Sequence, residues 1–192
     1  MLPHAINGVL PDFSGLSDKK MKIPVLIEEK TLPVGTTSIE FTGLNGDEDI
    51  EYILEGKITT SGIANDTPIQ LKPNNLATNQ GSTCHYFIHN NHNSYGNLTY
   101  LLLARQHTTA TFQMTILSRL LAKTGQIRVL KSSANIVVSN LSYYGQFDYA
   151  GFWTDTTTNI TSLVISVGSG SISGIIKLYK LVEITLEDLT PT

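Results

Sequence analysis

The stretch Ile160–Lys180, ITSLVISVGSGSISGIIKLYK, holds two apolar-rich runs separated by the Gly/Ser segment Gly168–Ser171. Runs rich in Ile and Val that are bounded by turn residues are typical of β-strands. Because the connection is short and glycine-rich, the stretch predicts a hairpin in which the two runs pair with each other. Gly174, inside the second run, predicts a bulge or the close approach of another backbone.

Short β-type runs separated by turn residues extend over the rest of the chain. The clearest is Asp49–Thr59, in which Ile50, Tyr52, Leu54 and Ile58 share one face and mostly polar residues take the other. Further strands are predicted at Lys22–Glu29, Thr37–Phe41, Pro68–Lys72 and Leu98–Arg105. Many short strands with turns between them predict an all-β sandwich or barrel.

Two segments of the sequence have a less clear pattern. Thr111–Leu121 fits helical spacing as well as strand alternation. The turn at Lys123–Gly125 and the alternation in Gln126–Leu130 favour a strand that forms a hairpin with the next one. Residues 73–97 are the most polar stretch, and we expect a long Asn/His loop there, interrupted by an apolar patch at Cys84–His89.

The start of the chain predicts a separate N-terminal arm at residues 1–30, ahead of a sandwich domain at residues 31–192. Pro3, Gly8, Pro11 and Gly15 break any periodicity in the arm. Its scattered apolar residues, Phe13 among them, are more than a solvated tail needs. We therefore expect the arm either to pack against a neighbouring subunit or to fold back onto its own domain.

The polarity of this chain comes from hydroxyls and amides rather than from ions. Of 192 residues, 15% are charged and the net charge is −3, whereas Thr (23), Ser (16) and Asn (13) make up more than a quarter. Three arginines are too few for a basic nucleic-acid binder, and the apolar content argues against disorder. The single Cys84 cannot form an internal disulfide, and no run is long enough to cross a membrane.

Four potential metal ligands lie within nine residues, Cys84, His85, His89 and His92. On a strand, His85 and His89 would be about 13 Å apart, so a shared ion needs a chain reversal, which Asn90 and Asn91 favour. Ordinary loop histidines are the better explanation, and we predict no metal, cofactor or catalytic residue. The run Gly168–Gly174 has neither the central Ser of a nucleophile elbow nor the spacing of a dinucleotide loop.

Six aromatic residues fall within eleven positions, Tyr143, Tyr144, Phe147, Tyr149, Phe152 and Trp153. Such a cluster predicts either a sugar-stacking platform, with Trp153, Tyr143 and Tyr144 as contacts, or an aromatic plug at one end of a sandwich. Asp148 and Asp155 are the only acids in this setting, and they lack the features of a glycosidase pair. We therefore expect that the chain is not an enzyme.

Two groups of segments resemble jelly-roll domains in virion proteins of tailed bacteriophages, namely capsid decoration proteins, head fibres and tail-fibre tips. Near the end of the chain they are Trp153, Asn159–Leu163 and Ile172–Lys180, which resemble the closing hairpin. Near the start they are Tyr52–Ile58 and Ile69–Asn75, which resemble the opening strands. The resemblance covers roughly residues 35–180, whereas the arm and the polar stretch at 73–97 depart from it.

The resemblance implies an all-β antiparallel jelly-roll sandwich with an extended N-terminal arm. It also implies a non-enzymatic structural protein of the virion that is made in the host cytoplasm without a signal peptide and assembles as a trimer or higher cyclic oligomer. Its arm would dock on other virion proteins, such as major capsid or tail proteins, with no nucleic acid and no membrane insertion. The alternative is a carbohydrate- or receptor-binding module of a tail tip that contacts a host glycan.

Overall fold

The computed structural model describes residues 20–88, 91–106, 109–138 and 144–185, and for residues 86–88, 91–97 and 138 it describes the backbone alone. One short helix, α1 (Gly46–Asp49), accompanies twelve strands in this part of the chain. The strands are β1 (Met21–Thr36), β2 (Ser38–Thr42), β3 (Glu51–Ser61), β4 (Thr67–Pro73), β5 (Gln80–Ile88), β6 (Asn91–Leu98), β7 (Leu101–Gln106), β8 (Phe112–Leu121), β9 (Arg128–Val138), β10 (Tyr144–Trp153), β11 (Ser162–Val167) and β12 (Ser171–Ile184).

The strands form two antiparallel sheets that pack as a sandwich, which confirms the predicted fold class. The large sheet has the order β1-β12-β3-β8-β9-β10-β5-β6, and the small sheet has the order β2-β11-β4-β7. Successive strands mostly alternate between the two sheets. The connections β5–β6, β8–β9 and β9–β10 stay within one sheet, and β5, β6, β9 and β10 widen the large sheet at one side.

The core lies between the two sheets and is built from alternating side chains. In β8, every second residue from Phe112 to Leu120 faces inward and is buried, including Ser118, while the residues that alternate with them are exposed. This alternation confirms that residues 111–121 form a strand, and the pairing of Leu120 with Leu130 confirms the predicted hairpin with β9. Burying one such aliphatic side chain stabilises the fold by about 1.5–3 kcal/mol.

The hairpin predicted across Gly168–Ser171 is wrong, because β11 and β12 belong to different sheets. β11 pairs with β2 and β4, whereas β12 pairs with β1 and β3. The connection crosses between the sheets where Gly170, with φ of +67°, lies against the backbone of Gly62. The hydroxyl of Ser169 fixes this crossing by accepting a hydrogen bond from the backbone N–H of Ala64 (3.0 Å).

The close backbone approach predicted at Gly174 is confirmed. A Cβ at this position would lie 2.2 Å from the carbonyl oxygen of Lys57 in the neighbouring strand β3. The φ of Gly174 is +127°, which side chains disfavour. Glycine is therefore required here by both conformation and space.

The loop predicted at residues 73–97 is wrong, because β5 and β6 occupy most of it. Its inward polar side chains are hydrogen-bonded, which removes the cost of burying them. The amide of Gln80 donates to the carbonyl of Leu76 (2.6 Å) and accepts from the N–H of Leu101 (3.2 Å). The hydroxyl of Ser82 donates to the carbonyl of Tyr100 (2.5 Å).

Two predicted boundaries also differ from the structure. The division between an arm at 1–30 and a domain at 31–192 falls inside β1, whose residues from Met21 onward pair with β12. The predicted alternating run at Asp49–Thr59 begins later, because α1 ends at Asp49. Ile50 then adopts a φ of +63° and is exposed, whereas Tyr52, Leu54 and Ile58 are buried as predicted.

Candidate functional site

β1 and β12 project beyond the rest of the large sheet at the pole where the described chain begins and ends. β12 pairs with β3 as far as Lys180, and its remaining residues pair with the first residues of β1, from Pro24 opposite Leu181 to Met21 opposite Ile184. We call residues 21–25 and 180–184 the terminal ribbon. Both the N-terminal and the C-terminal ends of the described chain leave the sandwich at the tip of this ribbon.

One face of the terminal ribbon is almost wholly apolar. Residues opposite each other in an antiparallel pair project to the same face, so Met21 joins Ile184 and Ile23 joins Val182. This face continues the inner face of the large sheet, because Lys180 lies opposite the buried Tyr52. We call its apolar members the apolar strip; they are Met21, Ile23, Val25, Val182 and Ile184. Within the described structure the strip stays half-exposed or exposed, up to 51% for Met21.

The charged groups around the ribbon are paired within the chain. Lys20 contacts Glu183 at 2.7 Å on the face opposite the strip. At the base of the ribbon, Lys180 (2.9 Å) and the hydroxyl of Tyr52 (2.8 Å) both donate to the carboxylate of Asp49. Burial alone would raise the pKa of Asp49, but these hydrogen bonds outweigh it and lower the pKa.

A second ion pair lies on the other side of this base. Glu51 is only 2% exposed, and it pairs with Arg119 and, at 3.8 Å, with Lys22. A cavity of about 340 Å³ lies between the two ion pairs, lined by Lys22, Asp49, Ile50, Glu51, Lys180 and Val182 among others. Because these charged side chains are paired with one another, the surface at this end that remains for a partner to contact is mainly apolar. The strand predicted at Lys22–Glu29 is part of β1, but its own residues could not identify β12 as its partner.

Trp153 and Arg128 form a buried pair at one end of the sandwich, and neither side chain has any exposed surface. A ring without exposed surface cannot stack on a sugar, so the predicted carbohydrate contact at Trp153 is wrong. Phe147 and Tyr149 also face the core and stack with 6.1 Å between ring centroids. These three rings therefore belong to the core on the inner face of β10, which favours the structural alternative over a sugar-stacking platform at their positions.

The other two predicted carbohydrate contacts have different outcomes. Tyr143 lies outside the described residues. Tyr144 is 59% exposed at the start of β10, on the outer face of the large sheet. Its strand carries Gln146 on the same face, with Asn135 of β9 opposite Gln146. Tyr144 therefore remains a candidate contact, with two amides beside it.

The two acids of the aromatic stretch do not form a catalytic pair. Asp148 lies on the outer face of the large sheet, in the middle of β10. Asp155 belongs to the loop after β10, where its carboxylate accepts hydrogen bonds from the N–H groups of Thr157 (2.9 Å) and Thr158 (3.0 Å). These bonds hold the pKa of Asp155 well below its ordinary value. The carboxylate thus caps a turn rather than facing a cleft.

The cluster of potential metal ligands is split by the strand it lies on. Cys84 is buried on the inner face of β5, and His85 is exposed on the opposite face. Burial raises the pKa of the Cys84 thiol to about 12, which keeps it protonated and unreactive at neutral pH. His89 lies outside the described residues, and the side chain of His92 is not described either.

The outer face of the large sheet holds several open depressions among the described residues. One of about 510 Å³ is lined by residues that include Ile53, Leu117, Arg119, Lys131 and Asp148. Its charged groups, Arg119, Lys131 and Asp148, are of both signs. The residue that pattern analysis missed is Arg128, whose position in an alternating run gave no sign that it faces the core.

The described residues contain no helix that is long and apolar enough to span a membrane. Comparisons of the whole chain with protein-family models, with curated proteins and with solved structures found no match.

Proposed function

We propose that this chain is a non-enzymatic structural protein of a tailed-bacteriophage particle, a capsid decoration, head-fibre or tail-associated protein. In this proposal the sandwich is the body, and the segment before β1 docks it on a major capsid or tail protein. The subunits assemble in the host cytoplasm as a homo-oligomer, with a trimer as the expected form.

The terminal ribbon is the observation that carries this proposal. It extends past the sandwich, and residues 1–19 continue from its tip. Lys22 and Lys180 of the ribbon, and Lys20 next to it, are already paired with acids of the same chain. A docking segment at the tip of a projecting, neutral and apolar ribbon suits attachment by burial of apolar surface, which has no direction and needs no charged partner.

The strand order supports the jelly roll implied by the resemblance. Without the two added pairs, the sheets are β1-β12-β3-β8 and β2-β11-β4-β7, and each successive strand crosses to the opposite sheet except β7, which follows β4 within the small sheet. Eight strands in two facing sheets joined by such crossings are the jelly-roll arrangement found in viral capsid domains. On this proposal, β5–β6 and β9–β10 are additions to that body.

Deletion of residues 1–19 in the phage that encodes the chain tests the proposal. The shortened protein should fold, with an unchanged β-sheet circular dichroism spectrum, but should be lost from purified particles. A matched variant with Val34→Ser, a residue that is 85% exposed elsewhere on β1, should be incorporated normally. Full incorporation of the deletion variant would refute docking through this segment.

Carbohydrate or receptor binding at a tail tip is the second candidate, and Tyr144 favours it. An exposed tyrosine ring beside the amides of Gln146 and Asn135 provides a stacking surface and hydrogen-bond partners for a sugar. Tyr144→Ala should abolish glycan or cell binding if this face is the site. If the wild-type chain binds neither glycans nor host cells, this second candidate is refuted and only the structural role remains.

A further inference from the structure

The apolar strip of the terminal ribbon needs a covering partner. A two-stranded ribbon is marginally stable in water unless an apolar face packs against something else. Here Tyr52 and Leu178 pack in the core beneath the base of the ribbon, but Met21 and Val25 near its tip are exposed. The strip thus carries apolar side chains on a strand pair that has no layer opposite it in the described structure.

The free edge of β1 is not suited to receive another strand. Pro24 and Pro33 lack backbone N–H donors, and the pairing of β1 is interrupted at Leu26/Glu28 and again at Leu32/Thr36. Prolines, bulges and lysines are the features that protect sheet edges from pairing with other chains. A partner therefore contacts the face of the ribbon rather than its edge.

The size of the strip argues for an extended partner segment rather than a rigid one. A stable interface buries about 800 Å² on each partner. Five aliphatic side chains on two short strands cover much less than that, so two ribbons stacked face to face would bind weakly. An extended segment laid along the strip and over the cavity at its base gains further area without requiring a second rigid surface.

Residues 1–19 are the segment of this chain that fits these requirements. They continue directly from the tip of the ribbon and include six large apolar residues, namely Leu2, Ile6, Val9, Leu10, Phe13 and Leu16. Fully extended, they reach about 60 Å. β1 runs from the tip toward the sandwich, and the side chain of Lys20 pairs with Glu183 on the face opposite the strip. Residues 1–19 would therefore have to reverse direction directly before Lys20 to cover the strip of their own chain, whereas the strip of a neighbouring copy needs no such reversal.

We propose that residues 1–19 of a second copy cover the apolar strip, so that neighbouring subunits exchange their N-terminal segments. This inference rests on the proposed function, because it names the partner that the docking segment meets within the oligomer. The cavity at the ribbon base, beside Val182 and Ile50, receives an apolar side chain of the exchanged segment.

Light scattering on the isolated chain gives the first test. The full chain should be an oligomer, and both the 1–19 deletion and Ile23→Asp should be monomers with an unchanged circular dichroism spectrum. Met21→Asp, at the tip where folding is least sensitive, should have the same effect. The control Val34→Asp, exposed on β1 but outside the strip, should remain oligomeric. Oligomers that persist in the deletion variant would overturn the proposal.

Photo-crosslinking identifies the occupant directly. A benzophenone side chain at position 25, in a mixture of ¹⁵N-labelled and unlabelled chains, should crosslink to residues 1–19, and about half of the crosslinked peptides should join a heavy chain to a light one. Crosslinks within one chain only, or to other parts of the molecule, would overturn the exchange. If no crosslinks form between chains but the 1–19 deletion still abolishes incorporation into particles, the segment exchange is refuted and the docking function is retained.

Discussion

The guanidinium of Arg128 lies over the indole ring of Trp153, with 4.8 Å between Cζ and the ring centroid. The same guanidinium donates hydrogen bonds to three backbone carbonyls, those of Ala122, Asp155 and Thr158. A buried arginine thus ties the loop between β10 and β11 to the end of the sandwich. This pair explains why the tryptophan is part of the core and not a ligand contact.

Replacing Arg128 with Met should cost the fold about 3 kcal/mol, because three backbone carbonyls lose the charged hydrogen-bond donor that joins them. Urea denaturation monitored by tryptophan fluorescence measures this loss. Lys131→Met, three residues along the same strand and exposed, should change the free energy of unfolding by less than about 0.5 kcal/mol. Equal stability of the two variants would show that Arg128 does not anchor the loop.

Trp153→Ala and Tyr144→Ala should separate packing from ligand contact. Removing the buried indole leaves a cavity and should lower the free energy of unfolding by about 3–5 kcal/mol. Removing the exposed tyrosine ring should leave the melting temperature within about 1–2 °C of the wild type. If the two variants prove equally stable, the burial of Trp153 described above is incorrect.

Stability should fall in acid, in part through Asp155. Hydrogen bonds from Thr158 and Thr157 lower the pKa of its carboxyl in the folded state, whereas an unfolded aspartate has a pKa of about 3.9. The contribution is therefore complete above about pH 5 and is lost as the pH falls below 4. Asp155→Asn should be less stable than the wild type at pH 7, and the difference should narrow progressively as the pH falls from about 4 to 2. A constant difference across this range would contradict the assignment.

Gly174→Ala should destabilise the protein by more than about 2 kcal/mol, since the new Cβ would collide with the carbonyl of Lys57 in a strained backbone conformation. Gly168→Ala, in the connection that precedes β12, is the matched control, because a Cβ there meets only ordinary contacts of 3.5 Å or more. Thermal unfolding of the two variants measures the difference. Similar melting temperatures of the two variants would show that the close approach of Lys57 does not require glycine at position 174.

The sequence allowed the strands to be predicted where alternation reflects one buried face, as in β3 and β8. It did not allow the assignment of strands to sheets to be predicted. The apolar pattern of β11 and β12 is the same whether the two strands pair within one sheet or lie in opposite sheets. The contact between Gly170 and Gly62 decides that question, and it joins residues more than a hundred positions apart.

The buried polar residues were the harder part to predict. Hydrophobicity alone assigns Ile127 and Val129 to the core, yet both are exposed while Arg128 is buried between them. Its partners are carbonyl groups of loops, which no side-chain pattern reveals. In the same way, Gln80 and Ser82 made β5 look like a loop because their hydrogen-bond partners cannot be read from their own segment.

The central claim is that this chain is a structural subunit of a phage particle, attached through its N-terminal segment. A cryo-electron microscopy reconstruction of purified particles, with quantitative mass spectrometry of the same sample, tests it most directly. The sandwich should lie at symmetry-related positions in a copy number divisible by three, with residues 1–19 in contact with another virion chain. Absence of the chain from purified particles, despite its synthesis during infection, would contradict it.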